Sequence, residues 1–366
     1  MHTEQHAAFF AALLAWYAEH APDLPWRTSR DPYHVWLSEI MLQQTQIATV
    51  IPYYERFLAA FPTVQALAEA PVERVLKLWE GLGYYSRARN LQRAAQHILA
   101  EHQGKLPHTV EALQKLPGIG RYTAGAIASI AFGQPAAALD GNAIRVLTRL
   151  YDYAEPIESP AAQRHLWQLA EQLAQAAPSG SAAAFTQAVM DLGREVCTPR
   201  TPHCAQCPVQ AFCRAFANGT QTARPIKTAK AAAPHHDVGA AILYNAEGAL
   251  LIAQRPPHGL LGGLWEFPQG QAQDSEGAEV ALVRGLREKL ALTVTVGELL
   301  TKVRHAFTHF KITLHAYACH ADQPTPRLLG YTACEWVPLP DLDAFPIARA
   351  DRHVIAFLRA GQQRLF

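Results

Sequence analysis

Four cysteines stand within seventeen residues, at Cys197, Cys204, Cys207 and Cys213, with six, two and five residues between them. Four soft thiolates in one short loop are the donor set of a tetrahedral zinc ion or of a cubane iron-sulfur cluster, and generic ligand chemistry leaves both open. Cys319 and Cys334 stand apart, a distribution that suits a metal site better than a secreted disulfide framework. A second candidate for chemistry is Glu39, inside the apolar helical stretch Trp36 to Gln46. A lone helical glutamate is ordinarily solvated or salt-bridged. Here Trp36, Leu37, Ile40 and Met41 predict partial burial, which raises a carboxyl pKa and keeps a proton available near neutral pH. Asp140, followed by Gly141-Asn142 and a helical pattern from Ala143 to Leu150, reads as an N-cap. Backbone amides and the helix dipole hold such a carboxylate ionised, as suits a group facing a cationic intermediate. Finally, Leu116-Pro117-Gly118-Ile119-Gly120 precedes Arg121-Tyr122-Thr123-Ala124. Glycines at a helix-to-helix reversal expose N–H groups that can hold a phosphate, although inert turns share the pattern.

The elements that must position these groups follow from periodicity. From Thr3 to about Phe216, apolar residues recur at three- and four-residue spacing between short Pro- or Gly-containing breaks, which predicts eight to eleven helices without a solenoid period. Residues 219–236 are small, polar and basic and read as a linker. From Asp237 the pattern turns α+β, with strands over Val238–Leu243, Leu250–Gln254, Val294–Val296 and Ile312–Tyr317 around a helix over Glu276–Leu290. The expected organisation is therefore two domains, 1–218 all-helical and 237–366 α+β. A length of 366 residues with 49% hydrophobic and 17% charged residues supports two buried cores.

The start, Met1–Ala12, lacks a signal-peptide pattern, and no 18-residue uncharged apolar run follows, so a cytoplasmic protein without a membrane partner is expected. The net charge of +1 does not announce a nucleic-acid binder, so any DNA surface must come from local clusters. Candidates are Arg87, Arg89 and Arg93; Arg121; Arg145 and Arg149; and Arg224, Lys227 and Lys230, each of which also reads as a solvated face.

The cysteine spacing resembles the cluster loop of the endonuclease III superfamily of DNA glycosylases, and LPGIG about 80 residues upstream resembles its helix-hairpin-helix; the match covers most of residues 20–216. Four segments, Leu24-Pro25-Trp26-Arg27, Trp36–Gln46, Gly81-Leu82-Gly83-Tyr84-Tyr85-Ser86-Arg87 and Leu139-Asp140-Gly141-Asn142, are similar to the adenine-specific MutY family. This resemblance implies a 4Fe-4S cofactor on the four cysteines, with Arg200 and Arg214 toward the DNA backbone. It further implies that Glu39 protonates N7 of a flipped adenine and that Asp140 stabilises the oxocarbenium ion, with Tyr122 and Asn142 positioning Asp140. Trp26, Arg27 and Gln187 would line the adenine pocket. Gln44, Thr45, Tyr84, Arg87, Gly118, Gly120 and Arg121 would meet DNA. In the bifunctional branch a nucleophilic lysine stands where this chain has Tyr122, which cannot form a Schiff base, so a monofunctional glycosylase is expected. The partner that the resemblance implies is double-stranded DNA with adenine opposite 8-oxoguanine or guanine, and a monomer associated with a bacterial nucleoid is expected.

Residues Gly270 to Leu292 fit the Nudix frame in register through Gly270, Glu276, Arg284, Leu286, Glu288 and Leu292. Gly285 and Lys289 stand where that motif needs carboxylates, so a Nudix-like fold without hydrolase activity is expected. Arg304 to Phe310 resembles the family's lesion-reading loop, with Phe307, Thr308 and His309 contacting 8-oxoguanine. A family member carries Ser where this chain has Thr308; Thr keeps the hydroxyl and adds a methyl. Three rivals are a glycosylase-lyase for oxidised pyrimidines, a nucleotide pyrophosphohydrolase with a helical appendage, and a non-catalytic iron-sulfur DNA-binding module.

Overall fold

The structure is a computed structural model that describes residues 3–228, 232–321 and 325–363. Lys230 and part of the expected linker lie outside the described residues. Up to residue 217 the chain forms twelve α-helices among the described residues: α1 (Thr3–His20), α2 (Pro32–Leu42), α3 (Ile47–Ala60), α4 (Val64–Glu69), α5 (Val72–Trp79), α6 (Ser86–His102), α7 (Val110–Leu113), α8 (Arg121–Ile130), α9 (Gly141–Leu150), α10 (Pro160–Ala176), α11 (Ala182–Asp191) and α12 (Arg214–Ala217). Two of these have only four residues, too short to show a hydrophobic period, which is why the sequence suggested fewer. The remainder carries β1 (His235–Leu243), β2 (Leu250–Gln254), β3 (Trp265–Glu266), β4 (Gln269–Gln271), α13 (Ala278–Leu290), β5 (Thr295–Ala306), β6 (Lys311–His320), β7 (Ala333–Val337) and α14 (Arg349–Gln363). No helix among the described residues is long and apolar enough to cross a membrane.

Packing divides the chain into two units, Met1–Glu69 with Asn90–Lys230, and Ala70–Arg89 with Ala231–Phe366. In the first, Phe9, Phe10 and Leu13 of α1 meet Val146, Leu147 and Leu150 of α9, Leu166 and Leu173 of α10, and Phe185 and Val189 of α11 in one apolar cluster. Burial of each such side chain contributes about 1.5–3 kcal/mol. Helix starts are set by capping. Asp31 accepts from the Tyr33 amide ahead of α2, with Pro32 at its first position, and Ser159 accepts from the Ala162 amide ahead of α10. Gly118 has φ +78°, and a Cβ there would lie 2.6 Å from Asn90 Cβ, so only glycine fits the turn into α8.

The second unit holds a four-stranded sheet, β4-β1-β6-β5, with β1 and β6 parallel, and a three-stranded antiparallel sheet, β3-β2-β7. Residues Val238 to Leu243 of β1 are buried on both faces. Ala240 and Ile242 face a cluster with Val354 and Ile355 of α14, while Ala241 and Leu243 face Leu282, Leu286 and Leu290 of α13. Strand β5 runs far beyond the expected Val294–Val296. Its exposed polar positions, among them Glu298, Lys302 and Arg304, hide the alternation, and the ladder to β6 makes it a strand.

The segment 70–89, expected within the helical domain, packs with the second unit because its polar groups bond there. Lys77 Nζ donates to the Phe345 carbonyl at 3.2 Å, Arg89 donates to the Gly262 carbonyl at 2.5 Å, and Arg352 pairs with Glu80. Leu76 lies against Gly263, leaving only 3.1 Å for a Cβ.

Candidate active site and cluster loop

Helix α2 is buried along nearly its whole length, and that burial carries Glu39, 6% exposed, into the wall of a cavity of about 410 Å³. Tyr122, on the first turn of α8, donates its phenolic O–H to Glu39 Oε2 at 2.6 Å. Asp140 caps α9, accepting from the Ala143 amide at 2.7 Å and from Asn142 Nδ2 at 3.0 Å. The same cavity is lined by Trp26, Arg27 and Gln187, so all seven expected catalytic and adenine-pocket residues converge on it. Trp26 is held edge-to-face on Tyr54, with centroids 5.4 Å apart. Gln187 Nε2 donates back to the Ala183 carbonyl of its own helix at 3.2 Å.

Burial pushes the Glu39 carboxyl up to about 7, while the Tyr122 hydrogen bond pulls the other way. A proton is thus available on Glu39 near neutrality. Asp140 departs from expectation. Its backbone amides are in place, but burial outweighs them, and its pKa moves up from the ordinary value rather than down. Tyr122 is driven well above its usual range by burial and by the two carboxylates, so it serves as a donor.

Arg145 and Arg149, candidates for a DNA surface, are instead buried, at 9% and 1% exposure. Arg145 donates to Asn142 Oδ1 at 2.8 Å, to the Gly193 carbonyl at 2.5 Å and to the Cys197 carbonyl at 2.7 Å. A chain of hydrogen bonds therefore runs from the start of the cysteine loop to Asp140. Arg149 closes that loop from beneath, donating to the carbonyls of Thr198 and Pro199 and to Cys197 Sγ. The sequence of α9 does not signal this, because the helix is buried without interruption from Arg145 to Leu150, its polar positions included. Asp191 and Arg194 also line the cavity and were not singled out from sequence. Asp191 pairs with Arg27, 164 positions away, and no local motif signals it.

Cys197, Cys204, Cys207 and Cys213 line one common recess with Arg149, Gln210 and Phe216. Four thiols around a shared recess suit a cluster whose metal corners stand apart. Burial pushes the Cys207 thiol up to about 12, with the other cysteines adding, and a bound metal would hold it as the thiolate.

Among the DNA-contact candidates, Gly118 forms the turn and Gly120 caps α8, its carbonyl accepting from the Ala124 amide. Arg121 lies over the Trp167 ring and pairs with Glu171. Gln44 adopts φ +57° and Thr45 Oγ1 donates to the Gln43 carbonyl. Arg87 is 8% exposed and donates to the carbonyls of Leu82 and Gly83, so it shapes the turn carrying Tyr84. Phe307 stacks on Phe310 in the β5–β6 loop, and Thr308 hydrogen-bonds the Tyr84 hydroxyl. Together with His309 they line a second cavity of about 470 Å³, within the unit formed by 70–89 and 231–366.

The departures from the Nudix motif have a packing cause. A Cβ on Gly285 would lie 2.6 Å from the Gly270 Cα, so α13 rests directly on β4 and admits no carboxylate there. Lys289 donates to the Gln269 carbonyl at 2.8 Å, and Glu276 and Glu288 are both paired with Arg284.

Three family models match in succession: the HhH-GPD superfamily base excision DNA repair protein over residues 37–172, the iron-sulfur binding domain of endonuclease III over 197–213, and the NUDIX domain over 239–357. The adenine DNA glycosylase of Rattus norvegicus is 39% identical across 90% of this chain and 74% of its own length. That of Homo sapiens is 38% identical across 97% and 74%. A solved structure of a thermostable thymine-DNA glycosylase shares 29% identity at a TM-score of 0.53, covering 59% of this chain and 98% of that one. The cysteine quartet is accordingly the seat of a 4Fe-4S cluster. With its helical glycosylase module, iron-sulfur loop and Nudix domain in that order, the chain belongs to the adenine DNA glycosylase family.

Proposed function

We propose that this protein is a monofunctional adenine DNA glycosylase of base excision repair that hydrolyses the N-glycosidic bond of adenine opposite 8-oxoguanine or guanine, acting as a monomer. The observation that carries the reading is the shared cavity of Glu39, Tyr122 and Asp140, with a protonatable Glu39 and a capped Asp140. Two carboxyl groups in different environments divide the work of glycoside cleavage. Extruding the adenine costs on the order of a few kcal/mol, and Gln44 and Thr45 fill the gap in the duplex. Trp26, Arg27 and Gln187 hold the base while Glu39 donates its proton to N7. Asp140 faces the cation developing on the sugar, and water completes hydrolysis. The cluster, when bound, orders the loop that carries Arg200 and Arg214 toward the backbone. Among the described residues no lysine lines the cavity, and Tyr122 is engaged with Glu39, which supports release without strand scission. The Tyr84–Thr308 contact beside Phe307 and His309 supports these residues as readers of the base opposite.

The test uses duplexes carrying adenine opposite 8-oxoguanine or guanine, incubated with the protein and resolved with and without alkali. Strand breaks that need alkali are expected for both. Breaks without alkali, together with an adduct trapped by borohydride, would contradict the monofunctional reading.

A further inference from the structure

Asp191 closes α11 and is 4% exposed at its side chain. Its carboxylate takes both ends of the Arg27 guanidinium, at 2.6 and 3.1 Å, and also meets Arg194 at 3.1 Å. A bidentate, shielded pair of this kind fixes a guanidinium in place and offsets its charge. The helix then loosens into a π-helical turn, Leu192–Val196. Gly193 presses that turn against the catalytic loop so closely that a Cβ would lie 2.7 Å from Asn142 Cβ. Asp191 is therefore anchored to the segment that carries Asp140, and it reaches across to the segment that carries Arg27.

We propose that Asp191 is a positioning residue that sets the Arg27 guanidinium in the wall of the base pocket and cancels its positive charge toward Glu39. The proposal rests on the reading of Glu39 as the acid. The titratable or charged groups facing Glu39 in the cavity are Arg27 from the turn before α2, Tyr122 from α8, Asp140 ahead of α9, and Asp191 and Arg194 from α11 and its π turn; α3 contributes Ile47, with Gln46 ahead of it. Arg27 is the cation whose field acts to deprotonate Glu39. Left unpaired, it would pull the Glu39 pKa further down, against the burial that holds it up.

The experiment is the pH profile of single-turnover adenine release by the cluster-containing full chain, on a duplex with adenine opposite 8-oxoguanine. Asp191→Asn keeps an acceptor for Arg27 but removes the charge, and its high-pH limb should move to lower pH by about one unit. Combining it with Arg27→Met should return the limb to its original position, whatever the rate. If Asp191→Asn does not fold, Arg27→Met alone should move the limb to higher pH, because the Asp191 carboxylate then faces Glu39 with less compensation. A slower Asp191→Asn enzyme with an unmoved limb, or an unmoved limb in Arg27→Met, would show a merely structural salt bridge and overturn the proposal. A Glu39→Gln enzyme that keeps the same limb would instead remove Glu39 as the titrating acid, a failure separable from that of Asp191.

Discussion

Tyr122 and Glu39 are joined by a 2.6 Å hydrogen bond in which the phenol donates and the carboxylate accepts. The bond favours the ionised glutamate, opposing the burial that favours the protonated one. Base release requires the proton, so the rate should fall as pH rises through about 7. Tyr122→Phe removes the opposing influence and should move that limb upward by about one pH unit. A limb that stays or moves downward in rate measurements across pH 5–9 would contradict this balance.

The Tyr84 hydroxyl and Thr308 Oγ1 meet within the second unit. One hydrogen bond of about 1 kcal/mol corresponds to a roughly fivefold effect. Tyr84→Phe and Thr308→Ala should each lower the preference for 8-oxoguanine over guanine opposite adenine by about that factor, and the double variant should lose little more than either. Additive losses in parallel single-turnover assays would mean that the two residues act separately.

Gly285 sits on the face of α13 that rests on β4, with no room for a side chain. Gly285→Glu, the change that restores a Nudix carboxylate, should lower stability by about 1–3 kcal/mol through overpacking and give no Mg2+-dependent nucleotide hydrolysis. Denaturant melts and a pyrophosphohydrolase assay check both, and a stable, active variant would return the nucleotide-hydrolase rival.

Asp351, 3% exposed, accepts the Phe267 amide at 3.1 Å, and burial with the nearby Glu266 charge holds its pKa well above the carboxylate range. With the folded value raised, its stability contribution is fully present below the unfolded pKa of about 3.9 and is lost as pH rises toward and through the folded value. Asp351→Asn keeps the acceptor without the proton to lose. Its thermal midpoint should match the parent near pH 4 and exceed it at pH 8, the gain growing by up to about 1.4 kcal/mol per pH unit. An equal loss at both pH values would refute this.

What sequence could read was chemistry confined to short segments. The cysteine quartet, Glu39 on its apolar helix and Asp140 at a helix start are local patterns, and the fold brings Glu39 and Asp140 to one cavity. What it could not read depends on distance or orientation. Asp191 finds Arg27 across 164 positions, and Arg145 reads as surface charge in the sequence but is enclosed by the Gly193 and Cys197 carbonyls. Strand β5 lacks alternation because much of it is exposed, and 70–89 is assigned by its bonds to Gly262 and Phe345, which no helical period encodes. The upward shift of the Asp140 pKa is not legible in the sequence, because local capping is visible there and burial is not.

The most direct test of Glu39 as the acid is single-turnover adenine release by Glu39→Gln on a duplex with adenine opposite 8-oxoguanine, with duplex affinity measured alongside. Affinity should be retained and release should fall by about 10²–10⁴. Release at the parent rate would contradict the assignment of Glu39 and, with it, the mechanism built on this cavity.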